Sequence, residues 1–162
     1  MLARLEVSGP VPRSLRQIAN SESCFRPFVQ MVNALRFRSS LPSDVLEVMI
    51  LFLSASDLLT TAVAEHRGFG LAAGLSEDQM IAAEAGLLDS PLRPEQILGL
   101  VVCQLVRDRK GIPDEIWNQM LLTWGEQASI DAVFAVGFWG GMVPHILRGL
   151  DIESSNSNLS AG

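Results

Sequence analysis

Two polar residues on apolar helix faces, Glu47 and His66, are the side chains of this sequence best suited to chemistry. Glu47 is the one charged residue in LEVMILFL, residues 46–53. A carboxylate in apolar surroundings costs free energy unless it is paired, hydrogen-bonded or protonated. An imidazole is the side chain most easily tuned to transfer protons near neutral pH, and His66 has apolar or small residues around it at helical spacing: Ala62, Val63, Phe69 and Gly70. If the fold brings Glu47 and His66 together, they form an acid–base pair in an apolar pocket.

The elements that must position this pair are predicted to be helices, because apolar residues recur at helical spacing and no segment alternates like a strand. Ser43 is expected to be the N-cap of the Glu47 helix. Residues 54–57 interrupt the apolar run between the Glu47 helix and the His66 helix, and they are able to cap the His66 helix. Ser76 and Gln79 have the spacing of a capping box, and Pro144 is expected to kink the last helix. One predicted helix has Pro27 near its start and ends at about Arg36. The others are residues 13–20, 44–56, 58–73, Ser76 to near Gly86, 94–109, 113–124 and 126–149.

Length and composition indicate one oligomeric domain. The chain has 162 residues, so it can bury a core without disulfides. Hydrophobic residues make up 48% and the mean hydropathy is +0.28, which favours further burial between subunits. We expect the domain to span residues 1–150 and the polar residues 151–162 to form a disordered tail.

Charge and cysteine content exclude several classes of protein. The net charge is −6 and there is a single lysine, which argues against nucleic-acid or anionic-membrane binding. The longest run without a charged or polar side chain, 132–144, is too short to span a membrane. No secretory signal pattern begins the chain, so we expect a cytoplasmic protein. Cys24 and Cys103 form no CxxC pair, so neither a disulfide framework nor a zinc site is expected.

The central segments LPSDVLEVMILFL and AEHRGFGLAAGLSEDQM resemble the alkylhydroperoxidase D/carboxymuconolactone decarboxylase family. RDRKGIPDEIWNQML and IDAVFAVGFWGGMVPHIL extend the resemblance to about residues 15–150. The redox branch of that family has a Glu followed by cysteines 12 and 15 residues later and a His 19 residues later. Glu47 and His66 occupy the outer positions here, but Leu59 and Ala62 replace the cysteines. Without thiols at these positions, the peroxidase or disulfide-reductase chemistry of the family is excluded at this site.

The resemblance implies an all-α bundle of the alkylhydroperoxidase D-like type that assembles as a homotrimer or homohexamer. It also implies a cofactor-free lyase, a decarboxylase of small cyclic carboxylic acids or lactones. His66 would be the general acid–base, with Glu47 orienting it or exchanging the proton itself. Many family members carry an aromatic residue and a second His where this chain has Val63 and Glu65. The pocket is therefore expected to differ, and a secondary metabolite and a lactone of aromatic catabolism both stay open as substrates.

Four further residues are candidates for substrate binding. Arg36 is suited to hold a carboxylate, and Phe69 lies one helical turn after His66. Trp139 precedes two glycines, which serve either close helix packing or space for a ligand. His145 follows Pro144 and has either a structural or a pocket role. Two alternatives stay open: an isomerase, dehydratase or cyclase using the same acid–base pair, and a non-catalytic member of the fold.

Overall fold

The computed structural model describes residues 13–89 and 91–152, and within these ranges the chain is all-helical, without a β-strand. The predicted all-α class is therefore confirmed. Residues 153–162 of the predicted tail lie outside the described part. The helices are α1 (Arg13–Ile18), α2 (Glu22–Phe37), α3 (Ser43–Ser56), α4 (Thr60–Ala72), α5 (Glu77–Ala85), α6 (Pro94–Arg107), α7 (Asp114–Gly137), a π-helical turn (Phe138–Met142) and α8 (Val143–Gly149).

Helix α3 is the centre of the fold because its sequence is apolar on nearly every face. It packs against α4, α5 and α6 along its length, and also contacts α7 and the π-helical turn. Residues 45–51 are all buried, Glu47 among them. A polar side chain in this stretch therefore has to find its partners within the protein.

The sequence signals at the helix ends are confirmed in some places and wrong in others. The capping box before α5 forms, with the Gln79 backbone N–H donating to Ser76 Oγ at 3.2 Å and the Ser76 N–H donating to Gln79 Oε1 at 3.0 Å. Helix α5 ends at Gly86, whose φ of 67° is left-handed and favours glycine. Ser43, by contrast, is the first residue of α3 and not its cap; Pro42 takes the cap position, without a side-chain bond.

The corner between α3 and α4 also differs from the prediction. Helix α3 ends at Ser56, as expected, but α4 begins at Thr60, two residues later than expected. The reason is Leu58, whose φ of 57° is left-handed and incompatible with a helix. The corner is therefore a tight three-residue connection, Asp57 to Leu59.

The C-terminal helices show the predicted breaks at their sequence positions. Gly125 has non-helical φ and ψ of 80° and 171°, so α7 is kinked between the two helices expected there. Before Pro144, which was expected to kink the last helix, the structure has a π-helical turn, in which the Val143 N–H donates to the carbonyl of Phe138. The continuous stretch 114–149 is long and apolar enough to cross a membrane by length and composition, a test that core helices of soluble proteins also pass.

Candidate functional site

Glu47 and His66, predicted as a pair from their spacing, are in contact. Oε2 of Glu47 lies 2.8 Å from Nδ1 of His66, and both residues are buried, with 3% and 8% of their surfaces exposed. The short corner between α3 and α4 makes the two helices fold back on each other, which places residues on their facing sides together. The predicted acid–base geometry is therefore present.

Arg36 completes a buried polar cluster with this pair, and we refer to Arg36, Glu47 and His66 as the polar cluster. Nη2 of Arg36 donates to Oε1 of Glu47 at 2.7 Å. Each carboxylate oxygen thus has one partner, which offsets the desolvation of a charge in the most apolar helix of the fold. Arg36 comes from the end of α2, so three separate helices build the cluster.

The bond to Glu47 also determines which nitrogen of His66 is available. Nδ1 donates to the carboxylate in the neutral ring, so the proton resides on Nδ1 and the lone pair on Nε2. Nε2 makes no hydrogen bond to any described residue. His66 therefore offers a free Nε2 to accept a proton, or to donate one when the ring is protonated.

Aromatic rings surround the polar cluster. The His66 ring centroid lies 5.6 Å from that of Phe69 and 6.5 Å from that of Trp139, which meets it edge-on. The guanidinium carbon of Arg36 lies 3.9 Å from the centre of the Phe69 ring, a cation–π arrangement. Nε and Nη1 of Arg36 have no acceptor among the described residues, so they are available to an anionic oxygen.

Trp139 reaches the cluster because of the irregular backbone that carries it. Its neighbour Gly140 packs so closely on α3 that a Cβ there would lie 2.8 Å from Cδ2 of Leu53. Of the two explanations offered by the sequence for the paired glycines, close helix packing applies to Gly140. A Cβ added at Gly141 would instead meet open space.

His145, predicted as a substrate-binding residue, is not brought to the polar cluster. It is exposed, and its Nδ1 donates to the carbonyl oxygen of Gly141 at 2.6 Å within its own helical stretch. This bond satisfies a carbonyl beside the π-helical turn and gives His145 a local structural role. The other five candidates are adjacent in the fold: His66, Glu47, Arg36, Phe69 and Trp139.

No thiol replaces the cysteines that the redox branch carries. Leu59 packs in an apolar cluster with Leu147 and Ile152. Cys103 is fully buried in α6, and burial raises the pKa of its thiol, so it stays protonated and unreactive. Cys24 is exposed on α2. Among the described residues, no cluster of three or more His, Cys, Asp or Glu side chains is placed to hold a metal ion.

An apolar groove lies beside the rings of Phe138 and Trp139, which we call the aromatic wall, and was not anticipated from the sequence. It has a volume of about 350 Å³, and its walls come from α2, α7 and the π-helical turn. Phe138 connects the two regions, since it lines the groove and its ring lies 5.0 Å from that of Trp139. Phe134, in its wall, is 56% exposed. The sequence signal that could have indicated this groove is the charge-free stretch 132–144, which contains Phe134. The groove, as used below, is lined by Met31, Val133, Phe134, Gly137, Phe138 and Met142.

Comparison with protein-family models, with curated proteins and with solved structures finds no match for this chain.

Proposed function

We propose that this protein is a cofactor-free acid–base lyase that decarboxylates a small cyclic carboxylic acid or lactone. The observation that carries the proposal is the buried Glu47–His66 hydrogen bond, which leaves Nε2 of His66 free beside aromatic rings. A carboxylate that fixes one imidazole nitrogen and leaves the other for a reacting atom is a common design for proton transfer. The sequence resemblance to the decarboxylase branch supports the same reaction class.

The proposed reaction uses the polar cluster in two steps. Loss of CO2 breaks the carbon–carbon bond to the carboxyl group and leaves its electron pair on the substrate, delocalised onto a neighbouring carbonyl oxygen. The free N–H groups of Arg36 hold that oxygen as negative charge develops. Nε2 of His66 takes the proton of the substrate carboxyl group as CO2 leaves, and the imidazolium then delivers that proton to carbon. Glu47 stabilises the imidazolium until that transfer. Phe69 and Trp139 limit the access of water.

A non-catalytic role is the second candidate, and one observation favours it. Both oxygens of Glu47 already have partners within the chain, and the described groove does not include Glu47 or His66 in its walls. In that case the polar cluster would join α2, α3 and α4 as a structural ion-pair network. The two candidates differ in whether Nε2 of His66 acts on a substrate.

The test is turnover of a panel of carboxylated lactones and cyclic acids, measured as released CO2. We expect Glu47→Gln and His66→Ala each to lower kcat by about 10²–10⁴-fold, the usual contribution of a positioned acid–base. Glu84→Gln is the matched control, since Glu84 is also bound by an arginine, Arg67, but lies in α5. Circular dichroism checks that each variant is folded.

The outcomes separate the candidates. Unchanged turnover in both cluster variants, with Glu84→Gln behaving like wild type, would overturn the catalytic proposal. Product formation without CO2 would assign the same acid–base pair to an isomerase, dehydratase or cyclase. Absence of turnover across the panel, together with a loss of stability in Glu47→Gln, would favour the structural role.

We further propose that copies of the chain associate through the groove face. Phe134 and Met142 are 56% and 42% exposed at its edges, and Gly137 leaves open space between them. An apolar residue beside an apolar recess is self-complementary, as a symmetric contact requires. A contact of this kind pairs two copies, so in the hexamer implied by the sequence resemblance it would join two trimers.

A further inference from the structure

The corner between α3 and α4 is held by a charged clamp. The carboxylate of Asp57 accepts from Nη1 of Arg107 at 2.9 Å through Oδ2. Nη2 of Arg148 donates to the backbone oxygen of Asp57 at 2.7 Å and lies 3.3 Å from its Oδ1. Arg107 belongs to α6 and Arg148 to α8, so one carboxylate at the corner joins three parts of the fold.

The backbone at this corner is in a conformation that needs support. Leu58 has a left-handed φ of 57°, which is unfavourable for a side chain with a Cβ, and its side chain is 83% exposed. Packing of the Leu58 side chain therefore does not hold this conformation. Two local backbone bonds support it, from the Leu58 N–H to the carbonyl of Ala55 and from the Leu59 N–H to the carbonyl of Ser54. The neighbours of Leu58 add contacts to the rest of the fold: Asp57 in the clamp, and Leu59 in an apolar cluster with Leu147 and Ile152.

The corner is the pivot of the two helices that carry the acid–base pair. Glu47 lies ten residues before Asp57 on α3, and His66 lies nine residues after it, mostly on α4. At a rise of 1.5 Å per residue, each side chain is about 14 Å from the pivot. A change of about 5° between the helices would displace one side chain by about 1 Å relative to the other, enough to break a 2.8 Å hydrogen bond.

The same clamp includes a residue of α8, the helix that follows Trp139 in the chain. Arg148 lies on α8, which continues from the π-helical turn that carries Trp139. Its bonds to Asp57 therefore fix α8 and the π-helical turn relative to the corner. This contact therefore links the corner between the helices of Glu47 and His66 to the element that carries Trp139.

We propose that Asp57, held by Arg107 and Arg148, is a positioning residue for the Glu47–His66 pair. Asp57 does not contact a reacting group; it acts by fixing the angle at which α3 and α4 meet. The effect on turnover rests on the proposed function, whereas the effect on the Glu47–His66 hydrogen bond does not.

The experiment follows the His66 Nδ1 proton by NMR in uniformly ¹⁵N-labelled protein. In the wild type this proton, hydrogen-bonded to a buried carboxylate, should give a downfield resonance protected from exchange, and the resonance is assigned by its loss in His66→Ala. We expect Asp57→Ala to broaden or abolish it while the helical circular dichroism stays unchanged. Asp108→Ala is the matched control, because Asp108 pairs with Lys110 on the surface at the end of α6. If Asp57→Ala fails to fold, Arg148→Met and Arg107→Met test the clamp from its other side.

Kinetics supply the second readout. If the chain decarboxylates a substrate, Asp57→Ala should lower kcat by about tenfold or more with little change in KM, because a displacement of 1 Å affects the reacting geometry more than binding. A wild-type resonance with wild-type exchange in folded Asp57→Ala, or in both arginine variants, would overturn the proposal. Failure to find any substrate would count against the proposed function alone, because the His66 Nδ1 proton resonance tests the role of Asp57 without turnover.

Discussion

The polar cluster and the apolar groove are joined by the adjacent rings of Trp139 and Phe138 and present opposite problems of burial. In the polar cluster, a charge is buried and its partners are supplied by α2 and α4. In the groove, apolar side chains are exposed and no described part of the chain covers them. The cluster has its partners within one chain, whereas the groove leaves apolar side chains exposed. Chemistry is therefore proposed at the cluster, beside Trp139, and association at the groove, beside Phe138.

The largest expected effect is on the polar cluster. Arg36→Met leaves the buried Glu47 carboxylate with His66 as its only partner and should lower the free energy of unfolding by about 3 kcal/mol. Arg93→Met is the control, since Arg93 is 56% exposed in its pair with Asp44, and its loss should be under about 1 kcal/mol. Urea unfolding followed by circular dichroism measures both. Equal losses in the two variants would mean that burial adds nothing to the Arg36 pair.

An intermediate effect is expected in the wall itself, where two adjacent glycines have different surroundings. Gly141→Ala should raise the free energy of unfolding by up to about 1 kcal/mol, because the new methyl group meets open space and alanine favours a helix. Gly140→Ala should instead lower it by about 1 kcal/mol, since its Cβ would force the buried Leu53 to move. Thermal unfolding compares the pair. A gain in both variants would show that the contact with α3 is loose.

The smallest effect on folding is expected in the groove. Phe134→Glu should change the free energy of unfolding by less than about 0.5 kcal/mol, because the side chain is already largely exposed. It should nevertheless shift the mass in solution toward the monomer, measured by light scattering after size-exclusion chromatography. Leu122→Glu, on the same helix and 90% exposed but outside the groove, is the control. Equal masses for wild type and Phe134→Glu would exclude the groove as the contact between copies.

The sequence was sufficient for the parts of this molecule that depend on local pattern. Hydrophobic periodicity predicted the helices, and the Ser76–Gln79 spacing predicted a capping box that forms. Glu47 and His66 lie 19 residues apart on consecutive helices, which allowed their contact, and the structure has it. In each case the interacting residues belong to one helix or to two neighbouring helices.

The parts that could not be predicted depend on partners distant in sequence or on backbone strain. Nothing local marks Arg36, among the arginines before α3, as the partner of Glu47. The left-handed Leu58 delays the start of α4, and the sequence does not mark it, because a leucine rarely adopts this conformation. His145 looked like a pocket residue because of its type, but the backbone next to Pro144 uses its donor.

The π-helical turn at Phe138–Met142 has a consequence for the register of everything that follows it. A π turn accommodates one residue more than an α-helical turn of the same span, so it acts as a single-residue insertion inside a continuous helix. If the same residues formed a regular α-helix, α8 would rotate by about 100° about its axis. Arg148 would then leave Asp57. The wide turn thus sets the phase of the C-terminal helix relative to the rest of the chain.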